Sequence, residues 1–323
     1  MTEAKTVLVS GGAGYIGSAL VSRLLRDTNW NVKVFDNLMY GGDSLFHYFN
    51  FERFSFIKGD LRKFELSKIV ENVDYVVNLA ALVGEPICKK YPKEAQEINF
   101  DANIDLAKIC EKHGVDRYVM MSTCSNYGKR QDQVMLKEDD ELQPISLYSE
   151  TKVNSENVLL KELPKLPAIV LRASTAYGMA ARIRFDLLLH QFILEAWENK
   201  RINIFGANSW RPMVHVDDIA QAIVLVMTEN DKIKQKDVFN VGSNDQNFQK
   251  IKLAEMVAER FNAEISEVKS KKDPRDYQVS FDKISSELNY HTQHKPQESI
   301  EQIASSIESG LITNQILHES VNI

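Results

Sequence analysis

Thr6-Val-Leu-Val-Ser-Gly-Gly-Ala-Gly-Tyr-Ile-Gly17 decides how this chain is read. An apolar strand runs straight into a cluster of glycines and then into a helical pattern, the arrangement that cradles a dinucleotide. Gly11 permits the tight turn, Gly14 lets the backbone approach a pyrophosphate, and Gly17 lets the helix pack close to the strand, its first N–H groups facing the anion. The glycines fit GxxGxxG from Gly11 and GxGxxG from Gly12 alike, so spacing alone does not choose a subfamily. A second strand, Val32-Lys-Val-Phe-Asp36, ends in an acid 19 residues after Gly17, where a carboxylate accepts ribose hydroxyls. That carboxylate repels a 2′-phosphate, and no Arg or Lys follows at 37 to 39. The expected cofactor is therefore NAD rather than NADP.

Strand-like runs follow outward from this motif at Val7 to Ser10, Val32 to Asp36, Phe54 to Ile57, Tyr75 to Leu79, Tyr118 to Ser122 and Ile169 to Arg172, alternating with helix-length segments. Continuous apolar strands imply a parallel sheet covered on both faces, with ligands at the strands' C-terminal ends. Gly59-Asp60-Leu61, Asn78-Leu79-Ala80-Ala81 and Ser122-Thr123-Cys124 fall at such ends. After residue 173 the rhythm breaks into a helix near 186 to 199, strands near 202 to 205 and 212 to 216, a helix at 217 to 228, a strand at 237 to 241, and helices near 248 to 261, 282 to 289 and 297 to 308. The expected class is α/β, a Rossmann-like doubly wound parallel sheet over 1–173, with a smaller, interleaved C-terminal substrate-binding lobe over 174–323.

Composition narrows the partners. The 323 residues are 44% hydrophobic and 26% charged, with a net charge of −6 that offers no general field for nucleic acid or an anionic membrane. The longest apolar stretches are strand-sized and residues 1 to 5 lack a signal-peptide pattern, so a cytoplasmic protein is expected. Cys88, Cys110 and Cys124 show no metal-ligand spacing and cannot all pair, which reads as reduced thiols and no metal.

Tyr148-Ser-Glu-Thr-Lys152 places a tyrosine and a lysine at i and i+4 near the start of a predicted helix, on one face. An isolated phenol titrates near ~10, so about one in a thousand is ionised at pH 7. A neighbouring ammonium and a positive nicotinamide ring would make Tyr148 a general base for a sugar hydroxyl. Thr123, at a strand end, would hydrogen-bond the same reacting oxygen. His215 reads as a packed strand-end histidine, and Glu138-Asp-Asp-Glu141 as a solvated loop.

The combination of GGAGYIG at 11 to 17, Asp36, Gly59-Asp60-Leu61, NLAA at 78 to 81, Asn99, STCSNYG at 122 to 128, YSETK at 148 to 152 with Glu156, Arg172 to Gly178, RPMVHVDD at 211 to 218 and FNVGS at 239 to 243 resembles the extended short-chain dehydrogenases/reductases of the nucleotide-sugar epimerase/dehydratase family. The resemblance spans nearly the whole chain. It implies hydride transfer at a sugar carbon, usually C4, with Tyr148, Lys152 and Thr123 catalytic. It also implies that Gly11, Gly14, Tyr15, Ile16, Gly17, Asp36, Asn37, Asp60, Leu61, Leu79, Ala80, Ala81, Asn99, Ser122, Tyr148 and Lys152 hold NAD. The GDP- or UDP-linked sugar would meet Thr123, Cys124, Ser125, Tyr148, Thr175, Arg182, Arg184, Arg211 and Arg275, with Arg211 and Arg275 suited to the diphosphate. Family members usually dimerise through helices that correspond to 94–112 and 148–162, so a homodimer is expected.

The loop after Thr123 separates the branches of that family. Dehydratases follow the threonine with Asp-Glu, and decarboxylases carry a glutamate at the position of Ser125. This chain has Cys124 and Ser125. Arg211-Pro212, Ala181 to Leu187 and Leu82 to Cys88 are similar to a branch that includes GDP-heptose 4-dehydrogenases. A 4-epimerase, a 4-dehydrogenase and a keto-sugar reductase all remain compatible with the residues. An idle NAD-binding regulator would be expected to have lost Tyr148 or Lys152.

Overall fold

The computed structural model describes residues 4–129, 134–229, 233–268 and 275–322. Seven parallel strands form its central sheet, in the order Lys236–Val241, Ala168–Ala173, Arg117–Thr123, Tyr75–Asn78, Thr6–Ser10, Asn31–Asp36 and Phe54–Lys58. The order reverses between Thr6–Ser10 and Tyr75–Asn78, where a doubly wound sheet opens a crevice for a ligand. The α/β class expected from the sequence is the one observed.

Continuous apolar strands make sense because both faces of the sheet are covered. Val7 and Val9 point into a cluster with Leu20, Val21 and Leu24 of helix Tyr15–Asp27 and Ile219, Ile223 and Val226 of helix Val216–Thr228. Leu8 points the other way, to Leu106 of helix Ala102–His113 and Leu159 of helix Leu147–Lys161. Alternation along a strand thus feeds two apolar layers at once.

A separate core is built from Tyr177, Phe185, Phe192, Val257, Ile303 and their neighbours, on helices Leu188–Asn199, Lys250–Phe261 and Pro296–Glu308. The chain does not pass into it once and stay. Helix Val216–Thr228 returns to cover the sheet, and Lys236–Val241 becomes its edge strand beside Ala168–Ala173. Five short strands among the described residues had no counterpart in the sequence reading: Met135–Leu136, Thr175–Tyr177, Asn247–Gln249, Glu264–Glu267 and Gln278–Val279. Each pairs with a partner distant in sequence, Thr175–Tyr177 with the inner part of Trp210–His215, for instance.

Candidate active site

The glycine turn closes on the crevice. Gly11 has φ +80°, a conformation that favours glycine, and a Cβ there would lie 2.7 Å from the Ala80 nitrogen. A Cβ on Gly17 would lie 2.2 Å from the Gly11 carbonyl oxygen, so helix Tyr15–Asp27 starts against the turn only because that atom is absent. Gly14 meets only the Gly11 oxygen at 3.3 Å and lines the cavity, leaving its surface open to a ligand.

A cavity of about 1110 Å³ runs from this turn along the C-terminal ends of the strands to the second core. It is large enough for two ligands side by side. Its wall includes every residue expected from the sequence to contact NAD or the sugar except two. Asn99 is fully buried behind the wall: its Oδ1 accepts the Leu82 N–H at 2.7 Å and its Nδ2 donates to the Leu82 carbonyl at 3.0 Å. Its amide is committed to holding the chain after Ala81, which corrects the expected cofactor contact. Cys124 turns into the core, its thiol donating to the Arg172 carbonyl at 3.1 Å, and burial pushes its pKa up to about 12. That removes the expected substrate contact.

Asp36 lines the cofactor end. Its Oδ2 accepts the Ala13 N–H at 3.0 Å and its Oδ1 the Leu38 N–H at 2.8 Å, while burial raises its pKa against those bonds. Each carboxylate oxygen retains a further lone-pair site for a ribose hydroxyl. The open turn, the Gly11 contact and this acceptor together fit a dinucleotide.

At the other end, Ser146 caps helix Leu147–Lys161 and sets its register, placing Tyr148 in the first turn and Lys152 one turn on. Both line the cavity. Burial raises the Tyr148 phenol above its ordinary value, with Cys88 adding to the effect and Arg184 opposing it. Burial also lowers the Lys152 ammonium to about 8, against Cys88 and Glu156. Lys152 Nζ donates to the Met121 carbonyl at 2.9 Å and stands 5.9 Å from the centre of the Tyr148 ring. The ammonium is therefore near the phenol, but its hydrogen bond goes to the strand end. The Thr123 oxygen accepts the Ser125 N–H at 3.1 Å, which leaves its own O–H to donate into the cavity.

Behind this wall lies a buried polar network. Glu156 accepts bonds from Arg172 at 2.7 and 3.1 Å, from Asn126 Nδ2 at 2.8 Å, and from the Ser122 hydroxyl. Arg172 continues to the Tyr127 hydroxyl at 3.0 Å and the Glu138 carbonyl at 2.9 Å. Burial works against the charge on Arg172, yet Glu156 more than offsets it and the pKa is raised. Glu138, expected as a solvated side chain, is half-buried and accepts the Asn240 N–H at 2.8 Å.

Four arginines face the cavity from the other core and the segment that crosses it. Arg211 donates to the Trp210 carbonyl at 2.7 Å and to the backbone carbonyl of Arg275, and both residues line the cavity. Arg184 is held by Asp186 through both oxygens, at 3.1 and 2.5 Å. Arg182 stacks on Tyr40, and the charges of Arg184 and Asp186 both bear on it. Tyr40, Lys89, Lys250 and Asn322 also line the cavity and went unnoticed in the sequence, because none sits in a motif. His215 packs as expected: its Nδ1 caps the helix that follows, and its ring stacks on His294 at 4.0 Å. Among the described residues no helix is long and apolar enough to cross a membrane.

The model of the NAD dependent epimerase/dehydratase family matches residues 7–242. An uncharacterized UDP-glucose epimerase of Bacillus subtilis is 31% identical over 233 residues, covering 68% of this chain and 72% of that protein. The dTDP-glucose 4,6-dehydratase of Escherichia coli is 28% identical, covering 91% of this chain and 89% of its own length. Among solved structures, the UDP-glucuronic acid 4-epimerase of Bacillus cereus with UDP-glucuronic acid and NAD superposes with a TM-score of 0.84 at 26% identity, over 94% of this chain and 99% of that one.

Proposed function

Because the chain belongs to the NAD-dependent epimerase/dehydratase family, we propose that it is a 4-epimerase of a nucleoside diphosphate-linked sugar, with UDP as the favoured carrier. The UDP preference rests on the B. cereus enzyme, whose complex holds a UDP-sugar. Surface-polysaccharide or activated-sugar synthesis in the cytoplasm is the setting this reading implies.

The observation that carries it is the wall around Tyr148. NAD, when bound, supplies the hydride acceptor and a positive ring. Tyr148 takes the proton of the C4 hydroxyl as the C4 hydride leaves, and gives it back as that hydride returns to the opposite face of the ketone. The Thr123 O–H donates to the same oxygen and fixes its direction. Arg211 and Arg275 hold the diphosphate, placing the sugar between Tyr148 and the cofactor end. The second core thereby serves as the substrate-binding lobe.

Loss of water across C5 and C6 needs an acid and a base at the sugar. The loop after Thr123 presents Ser125 to the cavity and turns Cys124 away. Of the wall carboxylates, Asp36 and Asp60 belong to the cofactor end and Asp186 is tied to Arg184, leaving Glu85 as a single candidate for two jobs. A UDP-hexose incubated with the protein in deuterated water should yield the C4 epimer, with its C6 hydroxyl kept and no solvent deuterium on carbon. Elimination strips the C5 proton and restores one from solvent, so a 6-deoxy product deuterated at C5 would overturn the reading.

We also propose a homodimer in which helices Ala102–His113 and Leu147–Lys161 of two copies pack together. Light scattering at micromolar concentration should give twice the monomer mass, and a monomer under those conditions would refute it.

A further inference from the structure

The segment after Gly178 is docked onto the dinucleotide side of the molecule. The Tyr15 hydroxyl donates to the Gly178 carbonyl at 2.7 Å, and Gly178 N–H donates to His190 Nε2 at 2.9 Å. Because that nitrogen accepts, the ring proton sits on Nδ1 and is donated to the Arg184 carbonyl at 2.7 Å. One buried histidine thus holds both ends of the 178–184 loop. The Arg182 N–H reaches Ser18 Oγ at 3.4 Å, on the same helix as Tyr15.

Within this anchored segment the two neighbouring arginines take different partners, although each lies within reach of the other's charge. Arg184 pairs with Asp186. Arg182 instead lays its guanidinium carbon 4.4 Å from the centre of the Tyr40 ring and donates to Asn322 Oδ1 at 2.6 Å. Tyr40 lies four residues beyond Asp36, and all three side chains line the cavity. The positive charge of Arg182 also bears on the Asp36 carboxylate.

We propose that Arg182 is a cofactor-binding residue, delivered from the second core across the cavity to the ribose end of the dinucleotide, where it stands opposite Asp36. The assignment corrects the sugar contact expected from the sequence and holds whichever sugar is bound. Discrimination between NAD and NADP is then the balance of two opposed charges. Asp36 repels a 2′-phosphate, and Arg182 attracts it.

Titrations of NAD and NADP followed by calorimetry test this without any turnover. Asp36→Ala should shift preference toward NADP, and Arg182→Gln in the wild-type background should weaken NAD while leaving UDP binding unchanged. Added to Asp36→Ala, Arg182→Gln should remove at least about tenfold in NADP affinity, the worth of one charge-assisted contact. The proposal falls if NADP binding to the Asp36→Ala protein is indifferent to Arg182→Gln, or if Arg182→Gln weakens UDP and spares NAD. If Arg182→Gln lowers both together, Arg182→Lys must restore NADP binding in the Asp36→Ala background, and failure to do so also overturns it.

Discussion

Tyr148→Phe should fold, bind NAD and turn over at least about 10²-fold more slowly, the usual effect of removing a positioned acid/base group. The substitution deletes one oxygen from a side chain that makes no structural hydrogen bond through it among those described, so packing in the wall is kept. Burial already raises the Tyr148 phenol, so the uncatalysed supply of phenolate at pH 7 is small. The site must lower that barrier when substrate and cofactor are in place, and without the oxygen there is nothing to lower. Lys152→Ala should slow turnover as well and also weaken NAD binding, because its ammonium lines the cavity beside the strand end at Met121. Single-turnover kinetics alongside NAD titration separate the two. A Tyr148→Phe protein within a few fold of the parent rate would remove this tyrosine from the chemistry.

Glu156→Ala should be the most destabilising single change among the residues discussed, by about 3–5 kcal/mol, the cost of stripping one partner from a buried ion pair. Arg172 would keep a charge inside the protein, and Ser122 and Asn126 would lose their common acceptor. Replacing both members, Glu156→Leu with Arg172→Met, should recover a large part of that loss, because two apolar side chains leave no charge behind. Urea denaturation of the two variants beside the parent reads this directly. A Glu156→Ala loss below about 1 kcal/mol would show that the network does not bear on stability.

The sheet was legible because each strand is an uninterrupted apolar run ending in a small-residue or polar cluster, and its bounds were placed within a residue or two. Short strands such as Thr175–Tyr177 were not, since three residues paired across the chain leave no period to detect. At the site, residues inside a motif were found, but the sequence carried no information on where their side chains point. Thr123, Cys124 and Ser125 are consecutive, and the turn that starts there sends the middle one inward. Asn99 belongs to a motif and yet acts on Leu82 from behind the wall. Arg182 and Arg184 are two residues apart, and only the folded chain shows that one is tied to Tyr40 and Asn322 and the other to Asp186. Tyr40 and Asn322 become visible only when a chain 323 residues long brings its two ends to one cavity.

The late arrival of strand Lys236–Val241 has a consequence for synthesis. Ala168–Ala173 is buried along its whole length in the finished protein, with Lys236–Val241 on one side and Arg117–Thr123 on the other. On the ribosome, the 62 residues between Ala173 and Lys236 separate the moment the inner strand emerges from the moment its outer neighbour does. At ordinary elongation rates that gap lasts roughly 3 to 12 seconds. Throughout it, the nascent sheet ends in an apolar strand with a free hydrogen-bonding edge, the kind of edge that recruits other chains. Newly made copies are thus most exposed to aggregation while between about half and three-quarters of the polypeptide has been made, and crowding on a single messenger would place several such edges close together.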